Sequence, residues 1–162
     1  MRKITHLFLI AIIFSSAACA NTYNPTQLQQ FQTTGSCPGC DLTDYNYLNV
    51  NAGVETPFDL QGANLSGTTM QTVNNTLSNF SDATGIGTAF LGCYSQTNFK
   101  NAVLINAGFE YTDLTYSNFT GANVTGADFS NADLYGAKGI NLSEASSVCN
   151  AILPDGSTGA CS

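Results

Sequence analysis

Large apolar residues recur along this chain at intervals of five. Between residues 97 and 136 the centres fall without a gap at Phe99, Leu104, Phe109, Leu114, Phe119, Val124, Phe129 and Leu134. Two positions before each stands a small residue: Thr97, Ala102, Ala107, Thr112, Ser117, Ala122, Ala127 and Ala132. An earlier run has centres at Leu60, Leu65, Met70, Phe80 and Phe90, with Asn75 and Gly85 in the slots between, and Leu42 and Tyr47 open a shorter one. The step from Phe90 to Phe99 is nine residues, which places the loss of one residue near Leu91 to Cys93. A second frame break lies between Asn49 and Pro57.

Neither regular period produces this pattern. On an α-helix, residues five apart are offset by about 140°, so no face accumulates. On a strand, an odd period sends successive centres to opposite faces. A chain that turns a corner every five residues sends each centre and its small partner inward and the other three outward. Four pentads then close a square coil of about 20 residues, stacked on the next at a strand spacing of about 4.8 Å. Such a solenoid is stabilised by stacking between neighbours. Residues one coil apart share a wall, which stacks Phe99 over Phe119, Phe109 over Phe129 and Leu114 over Leu134. Phe then lines two opposite walls and Leu or Val the other two, an alternation that fills the bore without voids.

The pentads Phe58-Asp59-Leu60, Ala63-Asn64-Leu65, Ala127-Asp128-Phe129 and Ala132-Asp133-Leu134 resemble those of the pentapeptide repeat family, whose consensus is A(D/N)LXX. The resemblance spans residues 40–140. It implies an all-β fold, a right-handed quadrilateral β-helix, here with about four to five coils and a rise of about 22 Å. Asn75, Gly85 and Gly139 depart from the consensus as centres.

Solenoid ends need covers. Residues 21–39 form the amino-terminal cap segment, in which Pro25 followed by Thr26 to Phe31 predicts a short helix seating Leu28 and Phe31 on the first coil. Residues 141–162 form the carboxy-terminal cap and tail. Asn141 and Glu144 have capping-box spacing before a short helix through Val148, and Pro154-Asp155-Gly156 reads as a turn in a tail that folds back. Ahead of all this, residues 1–20 run from Arg2 and Lys3 through apolar Leu7 to Phe14 into small residues, the order of a secretory signal peptide. Ala18 and Ala20 fit ordinary cleavage after Ala20, and lipidation of Cys19 is the alternative. The apolar run is too short to span a bilayer, which needs about 20 residues.

Composition sharpens the picture. Charged residues are 9% of the chain, whereas Asn, Ser and Thr number 17, 14 and 19. Three outward positions per pentad, clothed in uncharged polar groups, account for this. The formal charge is −7; without the leader, Lys100 and Lys138 face eleven carboxylates, a net −9. Phosphate recognition needs clustered cations, so nucleic acid is excluded as a partner. The only histidine, His6, lies in the leader, and the pentads offer no catalytic, metal or cofactor-binding cluster. In an exported protein Cys37 with Cys40, and Cys149 with Cys161, read as disulfides fastening the two caps. A redox or half-zinc reading of Cys37-Pro38-Gly39-Cys40 competes with the first pair. Cys93 is left over and reads as a buried thiol. Six Asn-x-Ser/Thr sequons, at Asn64, Asn74, Asn79, Asn118, Asn123 and Asn141, follow from the repeat and are not read as glycosylation sites.

The expectation is an exported, non-enzymatic protein of structural or protein-interaction role, periplasmic or secreted, with an envelope lipoprotein as the alternative. Capped ends imply a monomer, with the end-to-end dimer known in the family as the other arrangement. The resemblance supplies a second reading, an acidic DNA mimic acting on DNA gyrase. Against it stand the export signal and a charge density below one per roughly 1.7 Å of duplex. A third reading is a carbohydrate-active β-helix enzyme using paired carboxylates such as Asp128 and Asp133; regular exposure on a repeat face explains those residues without it.

Overall fold

The computed structural model describes residues 24–45, 48–49, 57–72 and 75–161. The leader with Cys19, the expected centre Tyr47, and residues 50–56, where the second frame break falls, lie outside the described residues.

Four parallel ladders run the length of the molecule. The first wall pairs Ser36, Asp59, Asn79, Asn98, Asn118 and Lys138 in succession, and the second pairs Asp41, Asn64, Thr84, Val103 and Asn123. The third begins as a three-stranded sheet of β1 (Leu48–Asn49), β2 (Thr69–Thr72) and β3 (Ala89–Gly92), with Met70 in register with Phe90. It continues through Gly108, Asp128 and Ser147. The fourth pairs Cys93, Asp113, Asp133 and Ile152. The ladders therefore extend on both sides of the 40–140 span, from Ser36 to Ile152. Each wall holds only two or three residues before the chain turns, so most of the pairing is by single bridges.

The turn that makes each corner is encoded locally. The carbonyl of a centre accepts the N–H three residues on, as in Phe99 with Ala102 (3.1 Å) and Leu104 with Ala107 (3.2 Å). The third residue of that turn has positive φ: 58° at Asn101, 56° at Asn106, 75° at Gly121 and 70° at Gly126. This is the type II requirement, met most cheaply by Gly or Asn.

All thirteen pentad centres from Leu60 to Leu134 named above are buried. The first wall stacks Phe80, Phe99 and Phe119, with ring centroids 5.2 and 4.9 Å apart, and the third stacks Phe90, Phe109 and Phe129 at 4.7 and 5.0 Å. The two columns meet edge to face across the bore, as in Phe99 with Phe109 at 83°. Aromatic pairs of these two geometries contribute about 0.5–1.5 kcal/mol each beyond burial. Leu65, Leu104 and Val124 line the second wall, Leu114 and Leu134 the fourth.

The ladder partner of residues 79, 84 and 89 lies nineteen residues on, at 98, 103 and 108, which locates the lost residue between Phe90 and Tyr94. Tyr94 is the centre there, fully buried, and its hydroxyl donates to Met70 O at 3.0 Å. The place held by Thr112 and Ala132 in the next coils is taken by Gly92, whose carbonyl accepts from Asp113 N–H as that of Thr112 does from Asp133 N–H. What is missing is one of the two corner residues, leaving only Leu91 between Phe90 and Gly92. The layer is completed by Phe80, Phe90 and Gly85, so a larger ring on the fourth wall faces the smallest residue on the second. Below Tyr94, Asn75 is 1% exposed and neither amide atom has a partner; Thr68 Oγ1 is likewise unpartnered.

The amino-terminal end is covered by α1 (Pro25–Thr34), with Asn24 Oδ1 accepting from the N–H groups of Thr26 and Gln27, and Gly35 ending the helix in the left-handed region. Leu28 and Phe31 are its buried residues, and Phe31 meets Phe58 edge to face at 5.2 Å. At the other end the expected helix through Val148 is only a 3-10 turn, Leu142–Glu144, after which Ala145 is extended. Ladder pairing overrides helix there: Ser147 joins Asp128 and Ile152 joins Asp133, so this stretch extends the third and fourth walls. The tail then reverses at Pro154-Asp155-Gly156, where Asp155 Oδ1 accepts from Ser157 N and Oγ, and Thr158 pairs antiparallel with Ile152.

Candidate interaction surface

Most outward polar groups are committed to the coil itself. The residue before a centre uses its Oδ1 to accept the N–H two positions on; this holds for Asn64, Asn79, Asn98, Asp113, Asn118, Asn123, Asp128 and Asp133. Asn64, Asn79, Asn118, Asn123 and Asn141 accept the sequon's own hydroxyl as well, at 2.7–2.9 Å. The sequons are thus turn chemistry; Asn74 lies outside the described residues.

On the first wall the same side chains also bond between coils. Asn79 Nδ2 donates to Asp59 Oδ1 (3.1 Å), Asn98 Nδ2 to Asn79 Oδ1 (3.2 Å) and Asn118 Nδ2 to Asn98 Oδ1 (3.3 Å). The ladder runs from a carboxylate, which only accepts, through three amides that both donate and accept. The next rung is Lys138.

The cysteines occupy positions in the same frame. Cys37 is a buried first-wall residue one step after Ser36, and Cys40 is the small buried residue before Leu42; their Cα atoms are 5.5 Å apart and their Sγ atoms paired. Cys149 and Cys161 are likewise paired, with Cα atoms 4.2 Å apart, tying the tail to the third wall. Cys93 is free and half-buried, and stands in the Asn/Asp column of the fourth wall with Sγ 3.3 Å from Asp113 Oδ2. Burial pushes the Asp113 carboxyl up. Bonds from Thr115 N–H, Thr115 Oγ and Cys93 Sγ outweigh that and hold it below its ordinary value of 3.8.

The fourth wall differs from the others in what it exposes. Its two corners carry Leu77, Tyr111 and Tyr116, exposed by 59%, 79% and 55%, and also Tyr135, the turn residue between Leu134 and Gly136. Leu77, Tyr111 and Tyr116 have φ of 66°, 59° and 57° at the turn position that elsewhere holds Gly, Asn, Asp or Gln. A bulky residue there costs on the order of 1 kcal/mol. The Tyr116 ring lies over Gly136, where an added Cβ would come within 2.6 Å of Tyr116 Cδ1, and meets Tyr135 edge to face at 5.7 Å. Asp113 stands directly over Asp133 with no amide between them. Among the described residues the cations are Lys138, in the first-wall ladder, and Lys100, at the corner after Phe99.

Residues 93–121 and 109–143 match the sequence profile of the pentapeptide repeats, in eight copies. Residues 93–143 carry pentapeptide repeats. No curated protein matches it. Solved structures similar to it include HetL, a pentapeptide repeat protein involved in heterocyst differentiation regulation from the cyanobacterium Nostoc sp. strain PCC 7120, at 22% identity and a TM-score of 0.46. That match covers 76% of this chain and 55% of HetL, so the chain spans about half of HetL's length. Rfr23, a pentapeptide repeat protein of the cyanobacterium Cyanothece 51142, is 25% identical over 74% of this chain and 88% of its own, with a TM-score of 0.34. Full-length QnrB1, a plasmid-mediated fluoroquinolone resistance protein, is 17% identical over 68% of this chain and 66% of its own, with a TM-score of 0.32.

The pentapeptide frame explains what reading forward along the chain missed. Counting back five from Phe99 lands on Tyr94, which was hidden by counting from Phe90. The frame also assigns each exposed Tyr its place: all three are corner residues, Tyr111 and Tyr116 at the positive-φ position and Tyr135 one before it. A shallow depression of about 240 Å³ lies elsewhere, at the end of the second wall, lined by Ala122, Asn123, Val124, Thr125, Asn141 and Glu144. Its one carboxylate already accepts from Thr125 Oγ at 2.7 Å. Among the described residues no helix is long and apolar enough to cross a membrane, and no three His, Cys, Asp or Glu side chains are grouped to hold a metal.

Proposed function

We propose that this pentapeptide repeat protein is an exported, non-enzymatic scaffold that acts by presenting a rigid wall to another protein. The observation that carries the reading is the use made of the outward polar side chains. Asn, Asp, Ser and Thr are bonded to their own turns or to the coil next door, so what the molecule offers a partner is a fixed relief and not a mobile catalytic group. Pentapeptide repeat proteins are generally non-enzymatic and often mediate protein interactions. Export is supported by the leader-like first twenty residues and by paired cysteines at both ends of the solenoid, since disulfides persist in oxidising compartments. The acidic DNA-mimic reading gains no support from the ladders, because amides occupy the first-wall column where a mimic would repeat charge.

The test is mass spectrometry of the protein recovered from its native envelope after crosslinking. The expected result is a mature amino terminus at Asn21, or a lipidated Cys19, with both cysteine pairs oxidised and a protein crosslinked to a wall. Recovery from the cytoplasm with an intact leader and reduced cysteines would overturn the export reading.

A further inference from the structure

Resting on that reading, we propose that the fourth wall is the docking face, and that its partner is an arginine- and lysine-bearing segment of another protein. The starting observation is where the bulky corner residues fall. At the positive-φ corner position the described residues of the other two corners hold Gly, Asn or Asp. Leu77, Tyr111 and Tyr116 stand only on the two corners that flank the fourth wall. Each adopts a backbone conformation that disfavours it, and each is more than half exposed, so neither turn geometry nor burial accounts for it. Strain retained at an exposed aromatic is a mark of use by a partner.

The charge on this wall points to what that partner carries. The first wall separates its ionic ends by three amides that donate to one another. The fourth stacks Asp113 over Asp133 in adjacent coils, at the strand spacing of about 4.8 Å. Both carboxylates accept from their own turns, and Asp113 also from Cys93 Sγ, while no lysine lies on this wall. A guanidinium or ammonium over the pair would meet oxygens that only accept and that keep lone pairs beyond those bonds. The flanking tyrosines add faces on which an arginine stacks. The same geometry disfavours a glycan. Tyr116 and Tyr135 meet at 82° and offer no flat platform for a sugar ring.

The experiment uses the full mature chain and fluorescein-labelled deca-arginine, deca-lysine and a neutral chito-oligosaccharide, read by anisotropy at physiological salt. The variant Tyr111→Asn/Tyr116→Asn changes no charge and suits the corner backbone, so it retains or raises the melting temperature. Wild type is expected to bind deca-arginine more tightly than deca-lysine, and the double variant to bind it about fivefold or more weakly. Asp133→Asn is expected to weaken both peptides, whereas Asp82→Asn, near the first wall, leaves them unchanged. Equal binding by wild type and the tyrosine variant, or equal losses from Asp82→Asn and Asp133→Asn, would reduce the effect to diffuse charge and overturn the proposal. So would oligosaccharide binding that depends on the tyrosines. An envelope protein crosslinked through the first or second wall would refute this face while leaving the scaffold role standing. Absence of any crosslinked partner would remove the role itself.

Discussion

Asn98 is the middle rung of the first-wall amide ladder, and replacing it tests whether the ladder has a direction. Its Nδ2 donates to Asn79 Oδ1 at 3.2 Å, and its Oδ1 accepts both Asn118 Nδ2 at 3.3 Å and Lys100 N–H at 3.2 Å. Net bond contributions are about 0.5–1.5 kcal/mol each. The site is half-buried and Lys100 N–H can turn to water, so the lower half of that range applies and Asn98→Ala costs about 2 kcal/mol. Asn98→Asp keeps the acceptor and removes the donor, turning a bond to Asn79 Oδ1 into an oxygen–oxygen contact. It costs about 1–2 kcal/mol near pH 7. Protonation restores the donor, so the introduced carboxyl has a folded pKa above its unfolded value. Its native interactions are therefore complete at low pH and lost as pH rises through that folded pKa. Urea unfolding followed by far-UV circular dichroism, with unchanged m-values, supplies the measurement. The Asp variant is expected to recover relative to wild type by about pH 4, and the Ala variant is not. An Ala variant within about 0.5 kcal/mol of wild type, or an Asp deficit that ignores pH, would refute the directional ladder.

Other outcomes follow from single contacts. Tyr94→Phe removes the bond to Met70 O and is expected to lower stability by about 0.5–1.5 kcal/mol; Tyr94→Leu, which also opens a gap beside Gly85, costs about 2–4 kcal/mol in the same unfolding assay. Asn75→Leu replaces two unpartnered buried amide atoms with an aliphatic centre and is expected to stabilise by about 1–3 kcal/mol, raising the melting temperature. Gly136→Ala drives a methyl into the Tyr116 ring and strains a positive-φ turn, costing about 1–2 kcal/mol and shifting tyrosine fluorescence. Asp113 has a depressed pKa, so its contribution is present above the ordinary value of 3.8 and is lost as pH falls through the lower folded value. Acid unfolding is accordingly expected to be less steep in Asp113→Asn.

The repeat was legible because the inward residues leave no choice. A five-residue period is incompatible with one face of a helix or strand, so Phe99, Leu104, Phe109 and their successors dictate corners and, through their alternation, which walls carry rings. The ends were less legible because local and ladder preferences compete there. Asn141 does cap a turn, yet the backbone after Glu144 continues the third and fourth walls, since unpaired edges are better satisfied by Ser147 and Ile152 than by helix. Tyr94 escaped notice because one missing corner residue, between Phe90 and Gly92, shifts the frame by one. The fourth wall was less visible still. Tyr111, Tyr116 and Tyr135 are scattered singly in the sequence, and only coil stacking brings them around Asp113 and Asp133.

The low charge of this protein and the character of its fourth wall have one physical origin. Identical positions in successive coils lie about 4.8 Å apart, so any ionised residue repeated in a column meets its own charge. Asn avoids this and adds a bond, because its amide donates one way along the column and accepts the other way, whereas Asp only accepts. A run of amides can therefore end on an Asp, as the first-wall run does at Asp59, but it gains nothing from consecutive Asp. That is why Asn, Ser and Thr displace ions over most of the surface. It is also why Asp113 over Asp133 stands out more than the net charge does. In a chain built on a rule that keeps carboxylates apart, the column that breaks the rule is flanked by tyrosines and a leucine that break the corner rule. Both departures lie on the same wall.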